Sequence, residues 1–165
     1  KQRPIMNLFF KEAVVFCVQS ETLADAGQEA RALADAHWQE VEAPLHGPQN
    51  KVLDLARYAE LEALHMLHLS TARQDGTLAG YAAFTLVPCP HRRGLLLAAL
   101  DGLYLRPDLR RGPNALHLLH HAETALRQRG VGLIQYSSPA SRPCDALYRR
   151  LGARLTETVW HKEVR

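Results

Sequence analysis

The sequence lacks the features that mark membrane and secreted proteins. It has no apolar run of the roughly 18 residues that a membrane-spanning helix needs, and the apolar stretch 5–10 is short and followed by Lys11. It has only three cysteines, Cys17, Cys89 and Cys144, and no C-x-x-C pair. These absences predict free thiols, a reducing compartment, a cytoplasmic location and no membrane partner.

The sequence also lacks a strong charge of one sign. Its 20 lysines and arginines against 17 acidic residues give a net charge of +3, and no long basic run occurs. Without such a run, or a platform of aromatic and basic residues, the sequence argues against a nucleic-acid partner. A mild basic excess favours a local anionic ligand instead.

Common phosphate and metal motifs are absent as well. There is no G-x-x-x-x-G-K-[ST] loop, no G-x-G-x-x-G turn and no H-E-x-x-H pair. His117, His120 and His121 cluster on one predicted helix, but no nearby cysteine or carboxylate set completes a ligand sphere. We therefore expect a solvated helix face there and no metal site.

What remains is the composition of an ordinary globular protein. Hydrophobic residues make up 47% and charged residues 22% of 165 residues, which predicts one domain, 1–165, with its own core. Apolar periodicity and turn residues predict the following order: strand 13–18, helix 20–42, loop 43–50, helix 51–64, strands 66–72, 78–87 and 95–105, helix 113–129, strand 131–137, helix 143–151, and one or two strands in 154–164. The glycine in Asp101-Gly102 predicts a bulge in the third of these strands.

The segment 100–126 is the most informative part of the chain. An apolar β-prone run is followed by the polar turn 106–112, and Pro113 then opens a helix. The helix has one apolar face, made by Ala115, Leu118, Leu119, Ala122 and Leu126. A strand, a turn and a helix start in this order present free backbone N–H groups to a phosphate.

Two motifs resemble those of the GNAT acetyltransferases. The residues Arg110-Arg111-Gly112-Pro113-Asn114-Ala115 resemble the family's R/Q-x-x-G-x-G/A turn, with Pro113 in place of the middle glycine. The segment 141–153 resembles N-x-x-A-x-x-x-Y-x-x-x-G-F; Tyr148 and Gly152 match, while Ser141, Cys144 and Ala153 differ. Segments 37–40, 101–104 and 157–162 are also similar to GNAT-like proteins of tailed phages and prophages.

The resemblance implies the GNAT acyl-CoA N-acyltransferase fold. This is an α/β (α+β) fold with a mixed central sheet splayed between the fourth and fifth strands and flanked by helices. It also implies an N-acetyltransferase that moves the acetyl group of acetyl-CoA to an amine by direct attack.

The family's functional residues map onto this chain by motif. The implied cofactor residues are Leu103, Tyr104, Leu105, Arg110, Arg111, Gly112, Pro113, Asn114, Ala115, Ser141 and Cys144. Tyr148 matches the tyrosine that gives a proton to the CoA sulfur. Proline has no N–H, so we expect the forked donors of Arg110 and Arg111 to compensate at the pyrophosphate.

The acceptor side is less specified. Asp101 is the favoured general base because it lies in an apolar run, where a carboxylate is expected to be functional or paired. His37 and Glu40 are alternatives, and His37, Trp38 and Glu40 are expected to border the acceptor. The acceptor could be a small-molecule or peptide amine, and a homodimer is possible. A non-catalytic GNAT-like module that binds acyl-CoA or a partner is the alternative function.

Overall fold

The computed structural model describes residues 15–47, 53–162 and 164. The strands are β1 (Phe16–Ser20), β2 (Leu67–Gln74), β3 (Thr77–Pro88), β4 (Leu96–Leu105) and β5 (Val131–Gln135). The helices are α1 (Leu23–His37), α2 (Ala43–His46), α3 (Leu55–Ala63), α4 (Asn114–Gln128) and α5 (Asp145–Arg150). A π-helical segment, Trp38–Glu42, joins α1 to α2, and a short 3-10 turn, Pro107–Leu109, precedes α4.

The strands form one mixed sheet in the order β1-β2-β3-β4-β5. The first four strands are antiparallel neighbours, and β5 runs parallel to β4 after the α4 crossover. The predicted bulge is present, because the β3 register passes from Ala83↔Gly102 to Phe84↔Leu100 and leaves Asp101 as the extra residue. The predicted mixed sheet with flanking helices is therefore confirmed.

Helices cover both faces of the sheet. On β3, Ala82, Phe84 and Leu86 pack with α4, while Ala83 points to the opposite core, which α1 covers. This follows the two-residue period of a strand. The α4 face contributes Leu118, Leu119 and Leu126 at 0% exposure, as its spacing predicted. Each described helix is too short or too polar to traverse a lipid bilayer.

The start of α1 is fixed by a capping box. The Thr22 hydroxyl accepts from the Asp25 N–H, and the Asp25 carboxylate accepts from the Thr22 N–H. Glu62 of α3 accepts from the Leu23 N–H at 3.0 Å and occupies another free donor of the helix start. The helix therefore begins at Leu23 rather than at residue 20.

The predicted boundary at residue 42 between helix and loop is wrong. The chain widens into the π-helical segment, where the Ala43 N–H donates to the Trp38 carbonyl five residues back, and α2 then follows. Pro44 has no N–H to continue the ordinary ladder, which explains the change of spacing. Residues 48–52, predicted as loop and helix start, lie outside the described residues.

The predicted strands of the tail are also wrong for the part of it that the structure describes. Residues 153–162 have no regular secondary structure, and the apolar side chains that suggested alternation are exposed. Leu155 is 87% and Trp160 88% exposed. Alternation predicts a strand only where one face has a partner to bury against, and here none of the described elements supplies it.

Glycine is required at position 80, where β3 pairs with the carboxyl end of β4. A Cβ at Gly80 would lie 2.6 Å from Leu105 Cδ1 and 2.8 Å from the Tyr104 carbonyl oxygen. Because the second of these atoms is backbone, we expect Gly80→Ala to lower the free energy of unfolding by about 3 kcal/mol, the upper part of the usual range for overpacking. Denaturant titration measures this loss.

Gly27→Ala is the matched control for that prediction. Gly27 lies inside α1, and nothing is within 4 Å of its Cβ position. Alanine in a helix interior should stabilise the protein by about 0.5–1 kcal/mol. A Gly80→Ala variant as stable as the parent would contradict the close approach of β3 and β4 at this position.

Folding buries His68 in a neutral form. It is 6% exposed, its Nε2 lies 2.8 Å from Ser70 Oγ, and burial lowers its pKa to about 4, with Arg129 and His121 acting in the same direction. The unfolded chain therefore binds more protons between about pH 6.5 and 4, so stability falls as pH falls through that window. We expect His68 to account for about 2 kcal/mol of loss between pH 7 and pH 5.

The pH dependence of unfolding in His68→Gln tests this expectation. Glutamine can keep a polar contact with Ser70 but does not titrate, so the variant should lose less stability than the parent between pH 7 and pH 5. His117→Gln is the control, because His117 is exposed on α4. Identical pH profiles of the parent and His68→Gln would contradict the assignment.

Candidate functional site

The sheet opens between β4 and β5. Their pairing runs from Leu96↔Val131 to Ala99↔Gln135, whereas β4 continues to Leu105 along β3. Ser137, just past the end of β5, donates from its hydroxyl to the Leu100 carbonyl at 3.2 Å. Beyond that contact the two strands separate, so the backbone of β4 from Leu103 to Leu105 faces open space on this side.

This opening leads into a cavity of about 450 Å³. Its walls come from the end of α1 and the π-helical segment, the second half of β4, the start of α4, and the loop and helix that follow β5. The cavity therefore lies at the carboxyl end of β4, where the sequence placed the turn and helix start. Its position agrees with the predicted splay.

Seven of the predicted cofactor residues line this cavity: Leu103, Tyr104, Leu105, Arg110, Gly112, Ala115 and Cys144. Gly112 has a φ of +86°, a conformation that favours glycine and that turns the chain into α4. Helix starts leave their first N–H groups unpaired, and Ala115 and Leu116 of the first turn of α4 line this end of the cavity. Arg111, Pro113, Asn114 and Ser141, all among the described residues, lie outside its wall.

The Arg110 side chain lines the cavity but is turned toward Glu40. Its guanidinium donates to both Glu40 carboxylate oxygens at 2.5 and 2.6 Å, and its Nε donates to the Leu105 carbonyl at 2.6 Å. It also lies over the Tyr104 ring, 5.1 Å from the centroid. Hydrogen bonds from Arg110 hold the pKa of Glu40 below its usual range. A carboxylate held in this way is a weak base.

Glu40 also binds the opposite wall of the cavity. Arg142, in the loop before α5, lies 2.7 Å from Glu40 Oε1, and the Ser141 hydroxyl donates to the Val41 carbonyl at 2.6 Å. The π-helical segment is thus tied to the turn before α4 and to the loop before α5. These contacts join two walls of the cavity.

Tyr148 of α5 lines the cavity from the side of β5. Its hydroxyl donates to the Ser137 carbonyl at 2.6 Å, and its ring stacks on Tyr136 with centroids 4.8 Å apart. Burial raises the pKa of Tyr148, so the phenol keeps its proton at neutral pH. Burial also raises the pKa of the neighbouring Cys144 thiol.

His37, the last residue of α1, reaches the cavity from above β4. Its Nδ1 lies 2.8 Å from the Tyr81 hydroxyl, and its ring stacks on Tyr104 with centroids 5.5 Å apart. Burial lowers the pKa of His37, although Glu42, Glu40 and Asp101 act to raise it. A neutral imidazole at neutral pH can accept a proton.

Asp101 lines the cavity at the β4 bulge, and its carboxylate accepts a hydrogen bond from the Tyr58 hydroxyl. The next residue, Gly102, is close to His37, because a Cβ placed there would lie 3.7 Å from His37 Cε1. Asp101 and His37 therefore share one end of the cavity. Trp38 stacks on His46. Of the residues that the structure describes, neither Trp38 nor Glu40 lines the cavity.

Several residues at this end were not predicted. Glu42 lines the cavity 4.0 Å from His37 Nε2 and 3.5 Å from His46 Nε2, and Arg142 holds Glu40. Tyr58 and Tyr81 approach from α3 and β3. No local motif marks these residues, because each acts through a partner that is distant in the sequence.

Comparison with known proteins agrees with this architecture. The model of the family described as "Acetyltransferase (GNAT) family" matches residues 30–153. No curated protein is matched by this sequence. Among solved structures, a ribosomal-protein-alanine N-acetyltransferase from Brucella melitensis biovar Abortus 2308 is 20% identical, with a TM-score of 0.68 over 90% of this chain and 99% of that chain.

Two further structures have the same fold. Glucosamine-6-phosphate N-acetyltransferase from Arabidopsis thaliana is 10% identical, with a TM-score of 0.70 over 92% of this chain and 99% of that chain. The aminoglycoside N-acetyltransferase AAC(6′)-Iy, solved with CoA, is 16% identical, with a TM-score of 0.69 over 94% and 98% of the two chains. At these identities the similarity shows the fold, including the splayed mixed sheet.

Proposed function

This chain belongs to the acetyltransferase (GNAT) family, and on that premise we propose that it is an N-acetyltransferase that transfers an acetyl group from acetyl-CoA to an amine. The observation that carries the proposal is the splay of β4 from β5, which opens into a cavity with His37 on one wall and Tyr148 on another. Cytoplasmic residence, a homodimer and the narrower similarity to phage-encoded proteins stay predictions.

The residues present fit acetyl-CoA as the donor. On the edge of β4 from Leu103 to Leu105 the Leu105 carbonyl already accepts from Arg110 Nε, and the remaining backbone groups are available to an extended amide-containing arm. The turn at Gly112 leads to the unpaired amides of α4. Acetyl-CoA supplies an acetyl group activated as a thioester. The cavity volume of about 450 Å³ lies within the range of small-molecule sites.

Charge at the pyrophosphate should come from Arg111 more than from Arg110. Arg110 is held by Glu40 and Leu105, whereas Arg111 is exposed beside the start of α4. We expect Arg111→Ala to weaken acetyl-CoA binding by about tenfold and to reduce its salt dependence, because it removes a charged donor. Calorimetry at two salt concentrations measures both effects, with the exposed Arg92→Ala as control. Unchanged affinity in Arg111→Ala would remove Arg111 from the phosphate site.

On the acceptor side we assign the proton-accepting role to His37. Glu40 is excluded by its two arginine partners, and Asp101 is an exposed carboxylate that already accepts from Tyr58. The His37 side chain is 12% exposed, has a lowered pKa and lies at the wall of the cavity. It can take the proton that an ammonium must lose before its nitrogen attacks.

Tyr148 is assigned the opposite proton transfer. Its phenol stays protonated and lies in the cavity wall beside the site where β4 and β5 diverge. To donate to a departing thiolate it must release the Ser137 carbonyl. That exchange replaces a neutral acceptor by a charged one, which forms the stronger hydrogen bond.

The proposal is tested by following thiol release from acetyl-CoA in the presence of amines. We expect release that depends on an amine, together with a product heavier than that amine by one acetyl group in the mass spectrum. The reaction without amine is the control. Acetyl-CoA binding with no turnover of any amine would favour the non-catalytic module, and an absence of binding would contradict both functions.

A further inference from the structure

The proposed chemistry assigns no role to Asp101. His37 takes the amine proton, Tyr148 serves the leaving group, and Glu40 is bound by arginines. Asp101 nevertheless lines the cavity, because the β4 bulge removes it from the register with β3. Its recorded partner is the Tyr58 hydroxyl, a neutral donor, so its negative charge is not compensated by that contact.

Three carboxylates, Glu42, Glu40 and Asp101, lie close enough to His37 to oppose the lowering of its pKa by burial. The cavity wall also holds the guanidinium groups of Arg110 and Arg142, and both of them bind Glu40. Glu40 is bound by two arginines, and Glu42 lies beside two imidazoles. Among the described carboxylates at this end of the cavity, Asp101 is the one whose recorded partner is a phenol. A carboxylate in a cavity wall is a binding group for an ammonium ion.

The reacting amine alone is a poor partner for Asp101. An ion pair with a carboxylate keeps an ammonium protonated, and a protonated nitrogen cannot attack a thioester. A second ammonium on the same acceptor removes this conflict, because one nitrogen binds Asp101 while the other is deprotonated by His37. Gly102, the residue after Asp101, lies beside the His37 ring, because a Cβ placed on it would be 3.7 Å from His37 Cε1, and Asp101 and His37 both line the cavity.

We propose that the acceptor is a diamine or polyamine, and that Asp101 selects it by binding an ammonium group that does not react. This inference rests on the proposed function. In the step, the ammonium nearer His37 gives its proton to the imidazole, and its nitrogen forms a bond to the acetyl carbon. The thioester C–S bond breaks, the sulfur takes the Tyr148 proton, and the second proton that the nitrogen loses restores the phenol. The products are a mono-acetylated diamine, free CoA and a protonated His37.

Two assays with propane-1,3-diamine and propylamine test the proposal. The first measures equilibrium binding of each amine by calorimetry and requires no turnover. The second measures kcat/KM for thiol release from acetyl-CoA. In both, we expect the parent to favour the diamine by about tenfold, which corresponds to the lower range for a hydrogen bond to a charged group.

In Asp101→Asn the roughly tenfold preference for the diamine over propylamine should fall to about one, both in binding and in kcat/KM. Asp35→Asn, a change at an exposed α1 position, should keep the parental preference and controls for net charge. Thermal unfolding of each variant separates a folding defect from lost selectivity.

The outcomes distinguish the two proposals. Diamine binding that depends on Asp101, without thiol release, would support the binding role and defeat the proposed function. Thiol release with equal preference for both amines in the parent would overturn the role of Asp101 and leave the proposed function intact. Loss of kcat for both amines in Asp101→Asn, with a shifted pH profile, would make Asp101 the base and also overturn the inference.

Discussion

Tyr148→Phe is expected to lower kcat by about 10²- to 10⁴-fold, with little change in the affinity for acetyl-CoA. The phenol is placed to protonate a thiolate that exists only late in the reaction, and an interaction made mainly in the transition state affects kcat rather than ground-state binding. Phenylalanine keeps the ring that stacks on Tyr136 and removes the proton donor. Binding is measured by calorimetry and kcat by thiol release at saturating substrates.

The same substitution also removes the hydrogen bond to the Ser137 carbonyl, which should cost about 1 kcal/mol of stability. Tyr136→Phe is the matched control, because the Tyr136 hydroxyl also donates a hydrogen bond, to Glu123 at 2.7 Å. Tyr136 is not among the residues that line the cavity. It should lose similar stability and keep kcat. Parental turnover in Tyr148→Phe would leave Tyr148 as a packing residue.

His37→Asn is expected to reduce kcat/KM at neutral pH by about 10²- to 10⁴-fold, the usual contribution of a general base. Asparagine can keep a polar group near the Nδ1 position for Tyr81 but cannot accept the amine proton. Because burial lowers the pKa of His37, the parental rate should fall only as pH drops below the usual histidine range. That acidic limb of the pH–rate profile should disappear in the variant.

His46→Gln controls for the loss of an imidazole beside Glu42, since His46 pairs with Glu42 but lies outside the cavity wall among the described residues. It should keep most of the activity and the acidic limb. If His37→Asn retained that limb and Asp101→Asn lost it, the base would be Asp101, as the sequence first suggested.

The strand-turn-helix could be predicted because its signals are local, whereas the splay beside it was implied by the resemblance to the GNAT family. Gly112 stands at a turn that needs a positive φ, Pro113 fits the position before a helix, and the apolar face of α4 follows the helical period. Tyr148 could be placed because its motif fixes its distance from the end of β5. The positions of these residues are determined by their neighbours in the sequence.

The acceptor end could not be predicted in the same way. Arg110 was expected to face a phosphate, yet it binds Glu40, a residue 70 positions earlier in the chain. Nothing near either residue encodes that pairing, since it depends on how the π-helical segment crosses the cavity. That segment in turn follows from Pro44, which does not end the helix but changes its hydrogen-bond spacing in the residues before it.

Hydrogen exchange followed with and without acetyl-CoA tests most directly whether the splay is the donor site. Free edges and helix starts exchange readily, and a bound ligand that accepts their hydrogen bonds slows that exchange. We predict slowed exchange concentrated in the amides of residues 103–105, 112 and 114–116, with β1 and β2 unchanged. Unchanged exchange in both segments at millimolar acetyl-CoA, or protection confined to another part of the sheet, would contradict the assignment.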